Sequence, residues 1–337
     1  MNPEFNTLLK NLETGKPVVI VTHPNPDGDA MGSSLGLYHF LKKKGYDARV
    51  ITPNEFPAFL GWLPGSSRVS VFSLAPEPCR KLIAEAGVIF CLDFNTLKRV
   101  GPLGELIESA GAFKALIDHH REPDAGFGYS LHDINASSTC ELVFDFISLF
   151  GEEKSIDPEI GICIYTGIMT DTASFRFPAA GPKTHRVAAF LQEQGVKTYL
   201  AHENVYDQNT LSRLKLIGHV LSNNLNISYE KKTAILTLSL KDQKMFKMEK
   251  GDTEGLVNYG LSVSGVQLAV FVMEKENEVK FSFRSKGELD VNRIARNHFN
   301  GGGHKNAAGG SLGTGFEDAL NRLNAFLDSP EFMRVVS

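Results

Sequence analysis

The chain has 337 residues, 42% hydrophobic and 22% charged, with a formal net charge of −4. This composition supports a substantial core in one large or two ordinary domains, and its acidic balance argues against tight nonspecific binding of long duplex nucleic acid while permitting a small anionic substrate. No run approaches the ~18 apolar residues of a membrane span. The opening residues MNPEFNTLLKNLETGK also lack the apolar stretch of a secretory signal, so a cytoplasmic location with no membrane partner is expected.

In chain order, the first apolar run, Val18–Val21, predicts a buried strand over 18–22. It leads into His23-Pro24-Asn25-Pro26-Asp27-Gly28-Asp29, where two prolines push His23 and Asn25 out of the α region. This segment is expected to stay extended and to turn at Gly28, whose freedom to take φ > 0 would let Asp27 and Asp29 address different ions. A helix over 29–44 follows. Strands near 47–51, 69–72, 87–92 and 113–117 then alternate with helices near 77–86 and 103–110. Such alternation predicts a mostly parallel sheet with helices on both faces.

Helices over 138–150, 158–170 and 183–194 come next. The amphipathic stretch 209–224 is read as a linker helix between a domain over 1–208 and a smaller α/β domain over 225–337. In the latter, β-like runs at 233–240, 266–272 and 278–284 precede a helix near 291–296, a glycine run and a last helix near 316–327. The cysteines, Cys79, Cys91, Cys140 and Cys163, are scattered among apolar residues, which argues for buried thiols and against a cysteine zinc site.

Three further segments place an acid at the end of an apolar run: Val88–Leu92 before Asp93, Ala115–Ile117 before Asp118-His119-His120, and Ile168–Thr170 before Asp171. Parallel strands share one carboxyl edge, so acids that follow different strands can converge there. Each acid alone would pass for a turn or a helix cap. Together with His23, Asp27 and Asp29 they form a candidate metal site of imidazoles and carboxylates without thiolates, a donor set better suited to Mn²⁺ than to Mg²⁺. Because adjacent side chains at a strand end point to opposite sides, His119 and His120 are expected to have different roles.

These residues resemble the DHH phosphoesterases, named for the triplet Asp118-His119-His120. Gly301-Gly302-Gly303-His304 followed by Asn306-Ala307-Ala308-Gly309-Gly310 is similar to the signature of their DHH-associated C-terminal domain, so the resemblance covers nearly the full length. The branch it is closest to is that of the short, two-domain nanoRNases, which act as oligoribonuclease and pAp phosphatase. One departure is Ala173, where the pattern has glycine.

The resemblance implies that His23, Asp27 and Asp93 hold one divalent cation, that Asp29, Asp93, His119 and Asp171 hold a second, and that Asp93 bridges them. Manganese is the first choice, with Mg²⁺ or Co²⁺ as alternatives. It further implies that Asp118 orients its neighbours, that His120 faces the substrate, and that Arg284, Gly301, Gly302, Gly303 and His304 bind a phosphate. The active site would lie in the cleft between the two domains. The expected substrate is a very short single-stranded RNA, degraded exonucleolytically to nucleoside monophosphates, with pAp dephosphorylation as a second activity. The alternatives are a linear dinucleotide phosphodiesterase and, from another class, a noncatalytic nucleotide-binding module; a homodimer is left open.

Overall fold

The computed structural model describes residues 3–336, with side chains through 334. The chain divides into two compact units, 1–208 and 209–337.

In the first unit six strands form one sheet: β1 (Val18–Thr22), β2 (Ala48–Thr52), β3 (Ser70–Val71), β4 (Val88–Leu92), β5 (Phe113–Asp118) and β6 (Tyr129–His132). Their order is β3-β2-β1-β4-β5-β6 and every pairing is parallel. β1 and β4 are buried at every position, as continuous Val/Ile/Leu runs require when helices cover both faces.

The helices are α1 (Pro3–Leu12), α2 (Gly28–Lys43), α3 (Pro76–Glu85), α4 (Pro102–Ser109), α5 (Thr139–Leu149), α6 (Pro158–Asp171), α7 (Pro182–Glu193) and α8 (Thr198–Tyr206). Val18, Ile20, Phe90 and Ile117 pack with α1, α2, α5 and α6 on one face of the sheet, while Val19, Ile89 and Leu116 pack with α3 and α4 on the other. The strand order reverses between β1 and β4. Open α/β sheets of this kind bind ligands outside the carboxyl ends of the strands at that reversal.

α2 and α6 approach closely because glycines line their contact. A Cβ on Gly32 would stand 2.5 Å from the Cys163 carbonyl oxygen, and one on Gly167 would stand 2.1 Å from Cys140 Sγ and 2.8 Å from Asp29 Oδ1. This close packing brings the first turn of α2, with Asp29, beside the last turn of α6, with Asp171.

The second unit contains α9 (Leu211–Asn223), β7 (Leu225–Ser228), β8 (Thr233–Leu238), α10 (Leu240–Met245), α11 (Leu256–Ser262), β9 (Leu268–Glu274), β10 (Val279–Ser285), α12 (Val291–His298), β11 (Gly302–His304), β12 (Ala307–Leu312), α13 (Phe316–Leu327) and α14 (Pro330–Val336). The strands form a mixed sheet in the order β11-β12-β10-β9-β8-β7, with only β8 and β9 parallel. α9, expected as a linker, packs Leu216 and Val220 into the core of this unit against Ala234, Leu236 and Leu238.

The glycine run contributes a strand. Gly302–His304 is an edge strand paired in register with β12. Among the described residues no helix is long and apolar enough to cross a membrane, and all four cysteines are buried and free.

Candidate metal centre

The loop after β1 departs from its sequence expectation in one respect. Gly28 already belongs to α2, one residue ahead of the expected start at Asp29, with Asp27 as the N-cap: its Oδ1 accepts from the N–H groups of Asp29 and Ala30, each at 3.0 Å. The left-handed residue is Asn25, at φ 54°, and not Gly28. Asn54, in the loop after β2, clamps it: Asn25 N donates to Asn54 Oδ1 at 2.6 Å, and Asn54 Nδ2 donates to Asn25 Oδ1 at 2.8 Å. Gly28 serves close approach instead, since a Cβ there would stand 2.3 Å from Thr170 Oγ1. Asp27 and Asp29 diverge because one caps the helix and the other lies in its first turn.

Asp93 follows β4 in the left-handed region, at φ 63°, with 2% of the residue exposed. Its two oxygens face different partners. Oδ2 is 3.3 Å from His23 Nε2, while Oδ1 is 3.6 Å from His119 Nε2 and accepts from Thr139 Oγ1 at 3.0 Å. His23, Asp27 and Asp93 each offer one donor atom within 4.8 Å of the others, and so do Asp29, His119 and Asp171.

Asp29 is buried against the N-terminus of α5, where Oδ2 accepts from Thr139 N at 2.7 Å and Oδ1 from Cys140 N at 2.9 Å. These otherwise unpaired helix N–H groups hold the carboxylate in place. Asp171 ends α6, its Oδ2 3.6 Å from His119 Nε2. The connector that follows runs through three consecutive left-handed residues, Ala173, Ser174 and Phe175, at φ 49°, 62° and 61°. Ala173 therefore occupies a position where glycine would be unstrained, at about 1–2 kcal/mol per residue for a side chain in this region.

Asp118 is fully buried. Its Oδ1 is 2.7 Å from His120 Nδ1, and its Oδ2 accepts from His120 N at 3.1 Å. The two histidines do not diverge as an extended strand would require: the chain leaves β5 at Asp118, the rings meet edge to face with centroids 5.1 Å apart, and His120 Nδ1 also lies 3.7 Å from Asp93 Oδ1. His119 Nδ1 is 3.3 Å from the Ala136 carbonyl oxygen.

The charges do not balance in the protein alone. Burial, together with Asp29 and Asp27 nearby, raises the Asp93 carboxyl well above its usual range, and burial likewise raises Asp29. Burial alone would lower His119, but Asp171, Asp29, Asp93 and Asp118 around it push it up to about 9. His120 is lowered to about 4, mainly by burial, against the pull of Asp118. Burial raises Asp118, but the His120 hydrogen bond and the two imidazoles outweigh it, leaving a net lowering. A pocket with this carboxylate surplus and hard N/O donors fits divalent cations.

Thr139, Cys140 and Asn54 act in this centre without having been singled out from sequence. Cys140 holds the Asp29 carboxylate through its backbone N–H, a contact that leaves no residue-type signal, and its thiol donates to the Asp29 carbonyl oxygen at 3.7 Å. The one available hint was Ser138-x-x-Glu141, a capping-box spelling that marks the start of α5.

In the second unit, Arg284 pairs with Ala307, and Ala307 pairs with His304. Arg284 and His304 thus share one row and one face, two strand spacings or about 9.5 Å apart. The next row on that face is Ser282–Gly309–Gly302. The glycines of this region fall into two groups. A Cβ on Gly301, Gly303 or Gly310 would stand 1.9, 2.5 or 2.5 Å from a backbone oxygen, whereas one on Gly302 or Gly309 would meet nothing closer than 3.8 or 3.6 Å.

Residues 17–168 match the model of the DHH family N-terminal domain, and residues 232–329 match the DHHA1 domain. A bifunctional oligoribonuclease and PAP phosphatase of Thermus thermophilus is 35% identical over 91% of this chain and 88% of its own length. The chain belongs to the DHH family. A second relative, the Bacillus subtilis bifunctional oligoribonuclease and PAP phosphatase, is 28% identical over 90% of this chain and 92% of its own length. The crystal structure of an exopolyphosphatase-related protein from Bacteroides fragilis superposes with a TM-score of 0.93 at 38% identity, covering 99% of this chain and 97% of that one.

Proposed function

We propose that this protein is a two-metal phosphohydrolase that degrades very short RNA to nucleoside monophosphates and also dephosphorylates pAp. The observation that carries the chemistry is the divided carboxylate of Asp93, with one oxygen toward His23 and the other toward His119. The substrate class is supported by the two oligoribonuclease and PAP phosphatase relatives, which align along most of the chain.

In this reading His23, Asp27 and Asp93 hold one cation, and Asp29, Asp93, His119 and Asp171 hold the other, with Mn²⁺ preferred for the mixed imidazole and carboxylate donors. Two such cations, when bound, lower the pKa of a shared water and stabilise both the attacking and leaving oxygens of an in-line displacement at phosphorus. The residues of the chain supply the rest. The α5 N-terminus fixes Asp29, and Asp118 fixes the ring of His120. Donation from His120 Nδ1 to Asp118 fixes the tautomer with the ring lone pair on Nε2. Arg284 offers a guanidinium fork to a substrate phosphate, with His304 in the same row and Gly302 leaving the backbone bare beneath.

The test is hydrolysis by purified protein with Mn²⁺, comparing dinucleotide and trinucleotide RNAs, a long RNA, pAp and pyrophosphate. Cleavage of the short RNAs and pAp is expected. Cleavage of pyrophosphate alone would overturn the substrate assignment, and no turnover on any of them would overturn the enzyme itself.

A further inference from the structure

Glu141 is a carboxylate with only 3% of the residue exposed, and it belongs to none of the metal-holding groups found among the described residues. Ionised side chains are rarely buried to this degree without dedicated partners. As the third helical residue after the cap Ser138, it would ordinarily reach back to the cap N–H. Its Oε2 accepts instead from Ser137 Oγ at 2.6 Å and from Thr184 Oγ1 at 2.7 Å, while Oε1 lies 3.4 Å from Lys183 Nζ.

Both sides of this arrangement lead to the metal centre. Ser137 sits between Ala136, whose carbonyl oxygen meets His119 Nδ1, and the turn whose Thr139 and Cys140 donate to Asp29 and Asp93. Lys183 and Thr184 open α7, and the connector that joins them to Asp171 carries the three left-handed residues. A strained segment of this kind persists only where its surroundings over-determine it. The contacts close a ring: Asp171, connector, Thr184, Glu141, Ser137, Ala136, His119 and back to Asp171.

We infer that Glu141 is a positioning residue for the half of the centre formed by Asp29, His119 and Asp171, acting by clamping the N-terminal turn of α5 to the start of α7. The inference rests on the two-cation reading above. The clamp works through the two hydroxyl donors; Lys183, whose nearer partner is Asp145 at 2.5 Å, adds a cation 3.4 Å from Oε1.

The experiment is a Mn²⁺ titration of the full chain, with free Mn²⁺ followed by electron paramagnetic resonance and melting recorded in parallel. Wild-type protein should bind two ions. Glu141→Met, which removes the acceptor at similar volume, should weaken one of them about tenfold or more and leave the other within about twofold, the range expected for partners that orient ligands from behind. Glu141→Gln should recover most of that loss, because its carbonyl oxygen can accept from both hydroxyls. Should Glu141→Met fail to fold, Thr184→Val removes one donor from the opposite side and should selectively weaken the same ion. Equal weakening of both ions, or no change in either, overturns the clamp. Binding of a single ion by the wild type overturns the two-cation reading and the clamp with it.

Discussion

At the residue scale, Asp93 combines three features that conflict in a simple folded protein: full burial, like-charged neighbours and a left-handed backbone. Asn is among the few non-glycine residues that accept left-handed φ, so Asp93→Asn keeps the backbone geometry while removing the charge. The metal-free Asp93→Asn protein should therefore melt at or above the wild-type temperature, yet lose tight binding of both cations and at least about a hundredfold in turnover. Asp93→Ala should lose the same function and also about 1–2 kcal/mol of stability, because alanine has no comparable tolerance for φ 63°. Equal melting temperatures for the two variants would remove the strain argument, and retained activity in either would remove the bridging role.

At the element scale, the hairpin of β11 and β12 separates glycines that serve packing from glycines that leave a surface bare. Gly301→Ala places a methyl 1.9 Å from the Gly309 carbonyl oxygen and should cost at least about 1–3 kcal/mol of stability, whereas Gly302→Ala has room and should fold normally. If Gly302 lies under the substrate, Gly302→Ala should raise KM several-fold with kcat nearly unchanged. An unaltered KM would assign the bare face no part in binding. This hairpin is also where sequence reading was weakest. Residues without a β-carbon carry no alternation of apolar and polar side chains, so neither strand was called from the sequence. β6, Tyr-Ser-Leu-His, was missed for a different reason: it alternates, but over only four residues, the shortest run that carries the signal. By contrast β1, β4 and β5 were legible as apolar runs, and the acids and imidazoles at their ends stood out as chemistry. What could not be read was everything contributed by the main chain, including the α5 amides on Asp29 and the turn after Asp171, because any residue type can supply them.

At the scale of the whole molecule, the charge imbalance in the first unit links stability to pH and to metal. His119 is raised from 6.5 to about 9 in the folded protein, so its contribution is fully present below pH 6.5 and is lost as pH rises through 9. The raised carboxyls of Asp29 and Asp93 act in the same direction, since the folded state holds their protons longer than the unfolded chain. Metal-free protein should therefore lose stability between about pH 6.5 and 9.5, by at most roughly 3 kcal/mol from His119. With saturating Mn²⁺ this slope should vanish or reverse, because cations bind the deprotonated ligands. Melting curves of chelator-treated and Mn²⁺-loaded protein across that range provide the check, and a flat metal-free profile would contradict the assignment. The location of the centre at the reversal of strand order also bears on how the molecule assembles. His23 and Asp171 are separated by most of the first unit, and the donors between them come together only when β1, β4 and β5 have paired and α6 has docked on α2. Contacts so distant in sequence form late. Metal uptake during refolding should thus lag behind the recovery of helical signal, which makes the bound cation a record that the chain has finished folding rather than a template around which it begins.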